Sequence, residues 1–193
     1  ALLSSTVRRW QSLCRFLTVD TPDCKLNNYL NGWATYQTMA CRLLGRSSVY
    51  QSGGAYGFRD QLQDCCSLIL AAPDAVTEHI LLSCAHQYTE GDVQHWWHSS
   101  PNGDKGVRTR YSDDLLSRYI EVTGDDSVLD KKARFIVSPP LSANENERYE
   151  SPRVSDFDGT VYAHCRKAID LVISRGFGDH GLCLMLGGDW NDG

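Results

Sequence analysis

Two carboxylates and one indole lie close together at the end of the chain, in the segment GGDWNDG, with no basic residue among them. Consecutive side chains in a turn point in different directions, so one of the two acids, Asp189 and Asp192, can bind a substrate hydroxyl while the other faces a reacting bond. The ring of Trp190 favours a protonated carboxyl nearby, because desolvation raises a carboxyl pKa and suits a general acid. The alternative is an ordinary turn, since Asp, Asn and Gly are turn formers.

A glycine-containing loop leads into a predicted helix between Arg46 and Asp64, in RSSVYQSGGAYGFRDQLQD. Arg59 and Asp60 are neighbours at the start of that helix. A carboxylate can accept two sugar hydroxyls, and a guanidinium donates hydrogen bonds from a fixed fork. The alternative is an Asp that caps the helix beside a salt-bridged Arg. No strand is predicted before the glycines, so the loop is not a dinucleotide-binding GxGxxG turn.

Two adjacent tryptophans occupy another predicted loop, in EGDVQHWWH. Trp96 and Trp97 are costly in a loop unless they bind a ligand such as a sugar ring, or fill a seam between helices. His95 and His98, with Asp92, are potential metal ligands, but neither an HExxH motif nor a spaced Cys/His set is present. No metal is therefore expected.

The elements that must position these residues are predicted to be helices, because apolar residues recur at steps of three and four. Three long segments between them are predicted as loops, the first two functional and the third functional or disordered; strands are scarce. This pattern favours an all-α fold of the α/α-toroid type. The predicted helices are 26–46, 60–72, 73 to about 88, a helix capped by Ser112, and 160–175, and the predicted loops are 47–58, 89–111 and 137–159.

Composition limits the class of protein. The chain has 193 residues, 41% of them hydrophobic, enough for one domain or part of a larger one. Its net charge of −5 argues against nucleic acid or an anionic membrane as partner, and no apolar run is long enough to cross a bilayer. Arg108 and Arg110 are expected to form a solvated or salt-bridged cluster with Asp113 and Asp114. The eight cysteines show no CxxC pair, which predicts reduced core residues and a cytoplasmic protein rather than a disulfide scaffold.

Taken in order, the motifs YQSGGAYGFRDQLQD, EGDVQHWWH, GVRTRYSDDLL and GDWNDG resemble those of glycoside hydrolase family 94, the inverting β-glucoside phosphorylases. TYQTMACRL and ERYESPRVSD are most similar to the phosphorylase-like domain of cyclic β-1,2-glucan synthases. The resemblance implies a partial (α/α)6 barrel with long functional loops. Residues 1–193 would then form a single, incomplete catalytic domain that needs the remainder of the barrel or a parent synthase.

The resemblance also implies roles for individual residues. Asp192 would be the general acid, and phosphate, the co-substrate, would attack the anomeric carbon and give α-glucose 1-phosphate without any other cofactor. The substrate would be a β-linked glucoside or β-glucan oligosaccharide. The donor sugar would contact Arg46, Arg59, Asp60, Asp189 and Trp190, and the acceptor or site mouth would contact Trp96, Trp97 and His98.

Three departures from the family pattern limit this expectation. The loop SGGAYG lacks a second Arg that many relatives have, Ser117 follows the SDDLL motif earlier than usual, and the chain ends beside Asp192. The isolated chain is therefore expected to be inactive. Two alternatives remain open: an inverting α/α-toroid hydrolase with Asp189 as its base, and a non-catalytic carbohydrate-binding domain of a cyclic β-1,2-glucan synthase.

Overall fold

The structure, a computed structural model, describes residues 2–45, 54–101, 103–110 and 116–184. Helices dominate the two ends of this part of the chain, and strands are concentrated in its middle. No described helix is long and apolar enough to cross a bilayer. The helices are α1 (Leu2–Cys14), α2 (Cys24–Asn28), α3 (Ala34–Gln37), α4 (Phe58–Cys66), α5 (Pro73–Cys84), α6 (Leu116–Thr123) and α7 (Val161–Arg175), with wide π-type turns at Tyr29–Trp33 and Thr38–Leu44 and a 3-10 turn at Ser127–Asp130.

The predicted helix 26–46 is confirmed as a helical run from residue 24 to residue 44. It starts at Asp23, whose carboxylate accepts hydrogen bonds from the backbone N–H groups of Lys25 and Leu26. The backbone leaves helical geometry at Asn31 and Gly32, so the run is kinked there. Arg46, the last residue of the prediction, lies outside the described residues.

The two following helices begin and end where backbone chemistry changes. Pro73 is the first residue of α5, as predicted, because its fixed φ suits a helical first turn. The preceding helix α4 is shorter than predicted: it ends at Cys66, and turns continue to Ala72. Helix α5 ends at Cys84, one turn before the predicted limit. The core face of this pair includes Leu62, Cys65, Val76 and Ile80.

Helix α7 confirms both predicted ends. The Thr160 side chain accepts a hydrogen bond from the backbone N–H of Ala163 at 3.1 Å, which caps the first turn. Gly176 follows the last turn with φ of 84°, a conformation that favours glycine. Ser112, the predicted cap of the preceding helix, lies outside the described residues, and that helix is described from Leu116.

The prediction that strands are scarce is wrong for the middle of the chain. All three predicted loops, 47–58, 89–111 and 137–159, contain strands of antiparallel sheets, so the described residues are not all α-helical, and the partial (α/α)6 barrel stays a prediction. One sheet has the order β1-β2-β3-β5 and the other pairs β4 with β6. The strands are β1 (Tyr56–Gly57), β2 (Gln94–His98), β3 (Lys105–Thr109), β4 (Lys132–Val137), β5 (Glu147–Glu150) and β6 (Arg153–Thr160).

The eight cysteines are all free, as predicted for reduced thiols. Their predicted location in the core is correct for Cys65, which is buried, and wrong for Cys24, Cys41 and Cys183, which are exposed. The thiol of Cys66 is half-buried, and desolvation raises its pKa. Position in the fold, rather than residue type, therefore decides how these thiols are exposed.

Candidate functional site

The four-stranded sheet has two chemically different faces. Side chains of residues that are paired across antiparallel strands point to the same face of a sheet. The pairing register therefore shows on which face each side chain lies. We call the face that carries Trp96 the outer face and the face that carries Trp97 the inner face. The row across the outer face is Gly57, Trp96, Val107 and Tyr149; the row across the inner face is Tyr56, Trp97, Gly106 and Glu150.

Trp97 lies in the core on the inner face, with 0% of its surface exposed. Its ring stacks between Tyr56, at a centroid distance of 5.4 Å, and His86, at 3.7 Å. No sugar can reach a ring enclosed in this way. The expected substrate contact of Trp97 is therefore not present in this structure. Trp97 is instead a packing residue, which was the alternative interpretation.

Trp96 lies on the outer face and is half-buried. Its ring centroid is 5.6 Å from that of Tyr149 and 5.4 Å from that of His98, which meets it edge-on. The structure thus brings together two of the predicted site residues, Trp96 and His98. It adds Tyr149, which the sequence analysis missed: the only signal was one aromatic residue in the polar run ERYE.

Asp60 belongs to the outer face as well. It is the third residue of α4 rather than its cap, because the helix begins at Phe58 after Gly57. A Cβ built on Gly57 would overlap Oδ2 of Asp60, so the carboxylate occupies the space on that side of the strand. Gly57 is paired with Trp96, so this Cβ would project from the same face of the sheet as the Trp96 side chain. The carboxylate and the indole therefore share one face.

The other charged residues of this helix have separate positions. Arg59 is half-buried in the first turn of α4, next to Asp60. Asp64 forms an ion pair with Arg42, from Nε to Oδ2 at 2.7 Å. Burial raises the pKa of Asp64, and the hydrogen bond from Arg42 opposes that shift. Asp64 thus joins α4 to the preceding helical run, whereas Asp60 borders the sheet.

The inner face is held by an ion cluster around Arg108, which is 1% exposed. Its guanidinium binds Asp92 in a bidentate fashion, at 2.7 and 2.9 Å, and Glu90 at 3.0 Å. It also lies 3.9 Å from the ring centre of Tyr88. Arg108 is salt-bridged as predicted, but through Asp92 and Glu90; Asp113 and Asp114 lie outside the described residues. Because Asp92 is committed to Arg108, it is not free to join the neighbouring histidines in a metal site.

The hydroxyl of Tyr88 connects this cluster to the edge strand β5. It donates to Glu150 Oε1 at 2.8 Å, and Ser138 Oγ donates to the same oxygen at 2.6 Å. Arg148 contacts the other oxygen of Glu150 at 3.2 Å. Burial, and then the hydrogen bond to Glu150, raise the pKa of Tyr88 far above its usual value, so the hydroxyl stays protonated.

His86, the ring beneath Trp97, is buried and uncharged at neutral pH. Its Nδ1 lies 2.7 Å from Gln94 Oε1, and its Nε2 lies 3.4 Å from Asp104 Oδ2. Burial lowers the pKa of His86, although both neighbours oppose that shift. The inner face therefore packs neutral rings against a fully paired ion cluster, which is the chemistry of a structural core.

Four predicted site residues cannot be placed relative to either face. Arg46, Asp189, Trp190 and Asp192 lie outside the described residues. The described part of the candidate site is thus the outer face. It combines a carboxylate from Asp60 with the rings of Trp96 and His98, and the ring of Tyr149 lies next to Trp96 at the border of this site.

Known proteins similar to this chain include a cyclic glucan synthase and two phosphorylases. It is 43% identical over 199 residues to "Cyclic beta-(1,2)-glucan synthase NdvB" of Rhizobium meliloti (strain 1021), which covers 100% of this chain and 7% of that protein. It is 27% identical to "3-O-beta-D-glucopyranosyl-beta-D-glucuronide phosphorylase" of Paenibacillus borealis, over 99% of this chain and 23% of that protein. It is 28% identical to "Solabiose phosphorylase" of the same organism, over 91% of this chain and 20% of that protein.

The chain thus spans a quarter or less of the length of these relatives. The model of the family described as "Glycosyl hydrolase 94 superfamily, catalytic domain" matches residues 9–193, nearly the whole chain. This match agrees with the resemblance carried by the four ordered motifs. The chain belongs to the glycosyl hydrolase 94 superfamily, within its catalytic domain.

Proposed function

We propose that this chain is part of an inverting glycoside phosphorylase. The enzyme would transfer glucose from a β-linked glucoside or β-glucan oligosaccharide to inorganic phosphate and release α-glucose 1-phosphate. The observation that carries the proposal is the family match over residues 9–193, together with two phosphorylases among the relatives. The arrangement of the outer face supports it, since it offers a fixed carboxylate and aromatic rings, the groups that bind sugar hydroxyls and ring faces.

The reaction needs one general acid. A phosphate oxygen attacks the anomeric carbon from the face opposite the leaving group, the bond to the glycosidic oxygen breaks, and Asp192 gives that oxygen a proton. An inverting hydrolase needs a second carboxylate to activate water. Phosphate is already an anionic nucleophile, so Asp189 is free to orient the donor sugar with Trp190 and Arg46. These roles rest on the match of GGDWNDG to the family motif.

Two residues of the first turn of α4 would act on the donor sugar in this proposal. Arg59 would donate to hydroxyls, and Asp60 would accept from them, beside the ring of Trp96. His98 lies edge-on to that ring and would border the acceptor. We further propose that the chain completes a partial (α/α)6 barrel with other parts of the protein, and that its free cysteines indicate the cytoplasm.

A second candidate has its own support. The identity of 43% to a cyclic β-1,2-glucan synthase exceeds that to either phosphorylase. In this alternative the domain belongs to a synthase of that kind and binds β-1,2-glucan, with or without phosphorolysis. Saccharide binding without any sugar 1-phosphate, measured in the intact protein, would favour a non-catalytic domain. Glucose release that does not depend on phosphate would favour a hydrolase.

The test is formation of sugar 1-phosphate by the intact protein, with and without phosphate, over a panel of β-linked disaccharides and β-1,2-linked gluco-oligosaccharides. Asp192→Asn is expected to lower turnover by at least about a hundredfold while sugar affinity is nearly unchanged, because only the proton donor is lost. A variant within threefold of wild type would remove Asp192 from this role.

A matched pair of variants tests the outer face separately. Asp60 and Asp74 are both acids in the first turn of a helix, in α4 and α5, but Asp74 is exposed, and its helix packs on β4 of the two-stranded sheet. We expect Asp60→Asn to weaken donor binding by about 1–3 kcal/mol, and Asp74→Asn to leave it unchanged. Equal effects of both variants would assign Asp60 to helix stability alone.

A further inference from the structure

Tyr149 is an aromatic residue that the sheet presents to solvent. It is 57% exposed on the edge strand β5, between Arg148 and Glu150, whose side chains point to the inner face and interact there. Because side chains alternate along a strand, Tyr149 is the one of these three residues whose side chain points to the outer face. Its ring contacts that of Trp96 and still leaves more than half of the residue open to solvent.

Tyr149 continues a row that begins at the candidate donor site. Its ring is 5.6 Å from that of Trp96 and tilted by 34° to it. Val107, between them in the row, is buried, so both rings stand on an apolar base. Three strand spacings separate β1, where the Asp60 carboxylate lies, from β5, or about 14 Å along the sheet. That length exceeds a single sugar ring and suits a chain of linked rings.

The surroundings of the two rings fit a saccharide better than a protein or a nucleic acid. On the outer face the accessible neighbours along the strands are polar or charged: His98 and Lys105 on one side, and Glu147 on the other, beside the buried Thr109. A stable protein interface needs about 1,000 Å² or more of buried surface, which a two-ring ridge with a polar border does not offer. A nucleic acid needs a basic face, and the net charge here is −5.

We propose that Trp96 and Tyr149 form a stacking platform for a sugar ring beyond the reacting pair, so that the outer face binds an oligosaccharide rather than a disaccharide alone. The proposal rests on the proposed function for the location of the reacting pair near Asp60. The apolar faces of successive sugar rings would lie on the aromatic rings, while hydroxyls meet the polar border. The platform would set the preference for chain length and leave the chemical step unchanged.

The test compares Tyr149→Ala, Tyr149→Phe and a control, Phe157→Ala, in the intact protein. Phe157 is also an exposed aromatic residue, but it lies on β6 of the other sheet. We expect Tyr149→Ala to raise KM for β-linked gluco-oligosaccharides of four or more units by about three- to tenfold, from the loss of one ring contact. Its kcat and its KM for disaccharides should stay within twofold of wild type. Tyr149→Phe and Phe157→Ala should behave as wild type.

Binding measured by calorimetry separates this proposal from the proposed function, because it needs no turnover. Selective loss of long-oligosaccharide affinity in Tyr149→Ala supports the platform even if the protein forms no sugar 1-phosphate. An active phosphorylase in which Tyr149→Ala leaves every chain length unchanged would overturn the platform and keep the proposed function. An equal loss at all chain lengths, or a loss in the Phe157→Ala control, would also overturn it.

Discussion

Trp96 and Trp97 are adjacent in sequence and have opposite environments. Trp97 is enclosed between Tyr56 and His86 on the inner face, whereas Trp96 is half-buried on the outer face, near the exposed ring of Tyr149. A strand turns successive side chains to opposite faces, so a WW pair within one cannot serve a single purpose. The difference teaches that the HWWH motif combines a structural residue and a candidate binding residue in consecutive positions.

The two faces also differ in how their charged groups are used. On the inner face, the Arg108 guanidinium is bound by Asp92, Glu90 and backbone oxygens of the 138–139 segment. On the outer face, the Asp60 carboxylate lies against Gly57, where no side chain intervenes. The hydrogen bonds of the Arg108 guanidinium are made within the fold and stabilise it. The Asp60 carboxylate is held in place at a surface, where it can bind a ligand.

The largest expected difference between the faces is in stability. Trp97→Ala should lower the free energy of unfolding by about 3–5 kcal/mol, because it opens a large cavity in the core. Trp96→Ala should lower it by less than about 1 kcal/mol, since a half-exposed ring loses less contact. Urea unfolding followed by circular dichroism measures both values. Losses of equal size would mean that the outer ring is as structural as the inner one.

The hydroxyl groups of two tyrosines give a smaller and cleaner comparison. Tyr88→Phe removes a hydrogen bond to Glu150 on the inner face, and we expect a loss of about 1–2 kcal/mol in the free energy of unfolding. Tyr149→Phe on the outer face should stay within about 0.5 kcal/mol of wild type. If Tyr88→Phe is also neutral, the link between the Arg108 cluster and strand β5 does not contribute to stability.

The helices after residue 23 could be predicted from the sequence because each one carries its own signal, whereas α1 was not predicted. The apolar stripe of 26–46, Pro73 at the start of α5, and Thr160 and Gly176 at the ends of α7 are all local features. The sheet could not be predicted in this way. Strand β1 has two residues, and β2 is a run of Gln, His and Trp with an irregular register between Gln94 and Trp96. Pairing with distant strands, rather than alternation, creates it.

The candidate site was predictable by residue type but not by arrangement. The motifs identified Arg59, Asp60, Trp96 and His98, yet they gave no way to tell Trp96 from Trp97. That distinction depends on which strand face packs on His86, a contact set by tertiary structure. Tyr149 was missed because its role depends on register with β3 and β2, which an isolated tyrosine in a polar run does not reveal.

The last comparison concerns protons. The inner face contains His86, and a second buried histidine, His164, packs on Phe135 beside the other sheet; burial lowers the pKa of both below the usual 6.5. The unfolded chain therefore takes up protons near pH 6.5, while the folded chain does not until lower pH. Stability should be retained above about pH 6.5 and fall on acidification, by at most about 1.4 kcal/mol per pH unit for each histidine.

Urea unfolding at pH 7.5, 6.5 and 5.5 measures this slope. His86→Gln should reduce the slope without removing it, because His164 still contributes. A stability that is flat from pH 7.5 to 5.5 would mean that both rings accept a proton in the folded state at no cost. The inner face would then be open to water, and its contrast with the outer face would disappear.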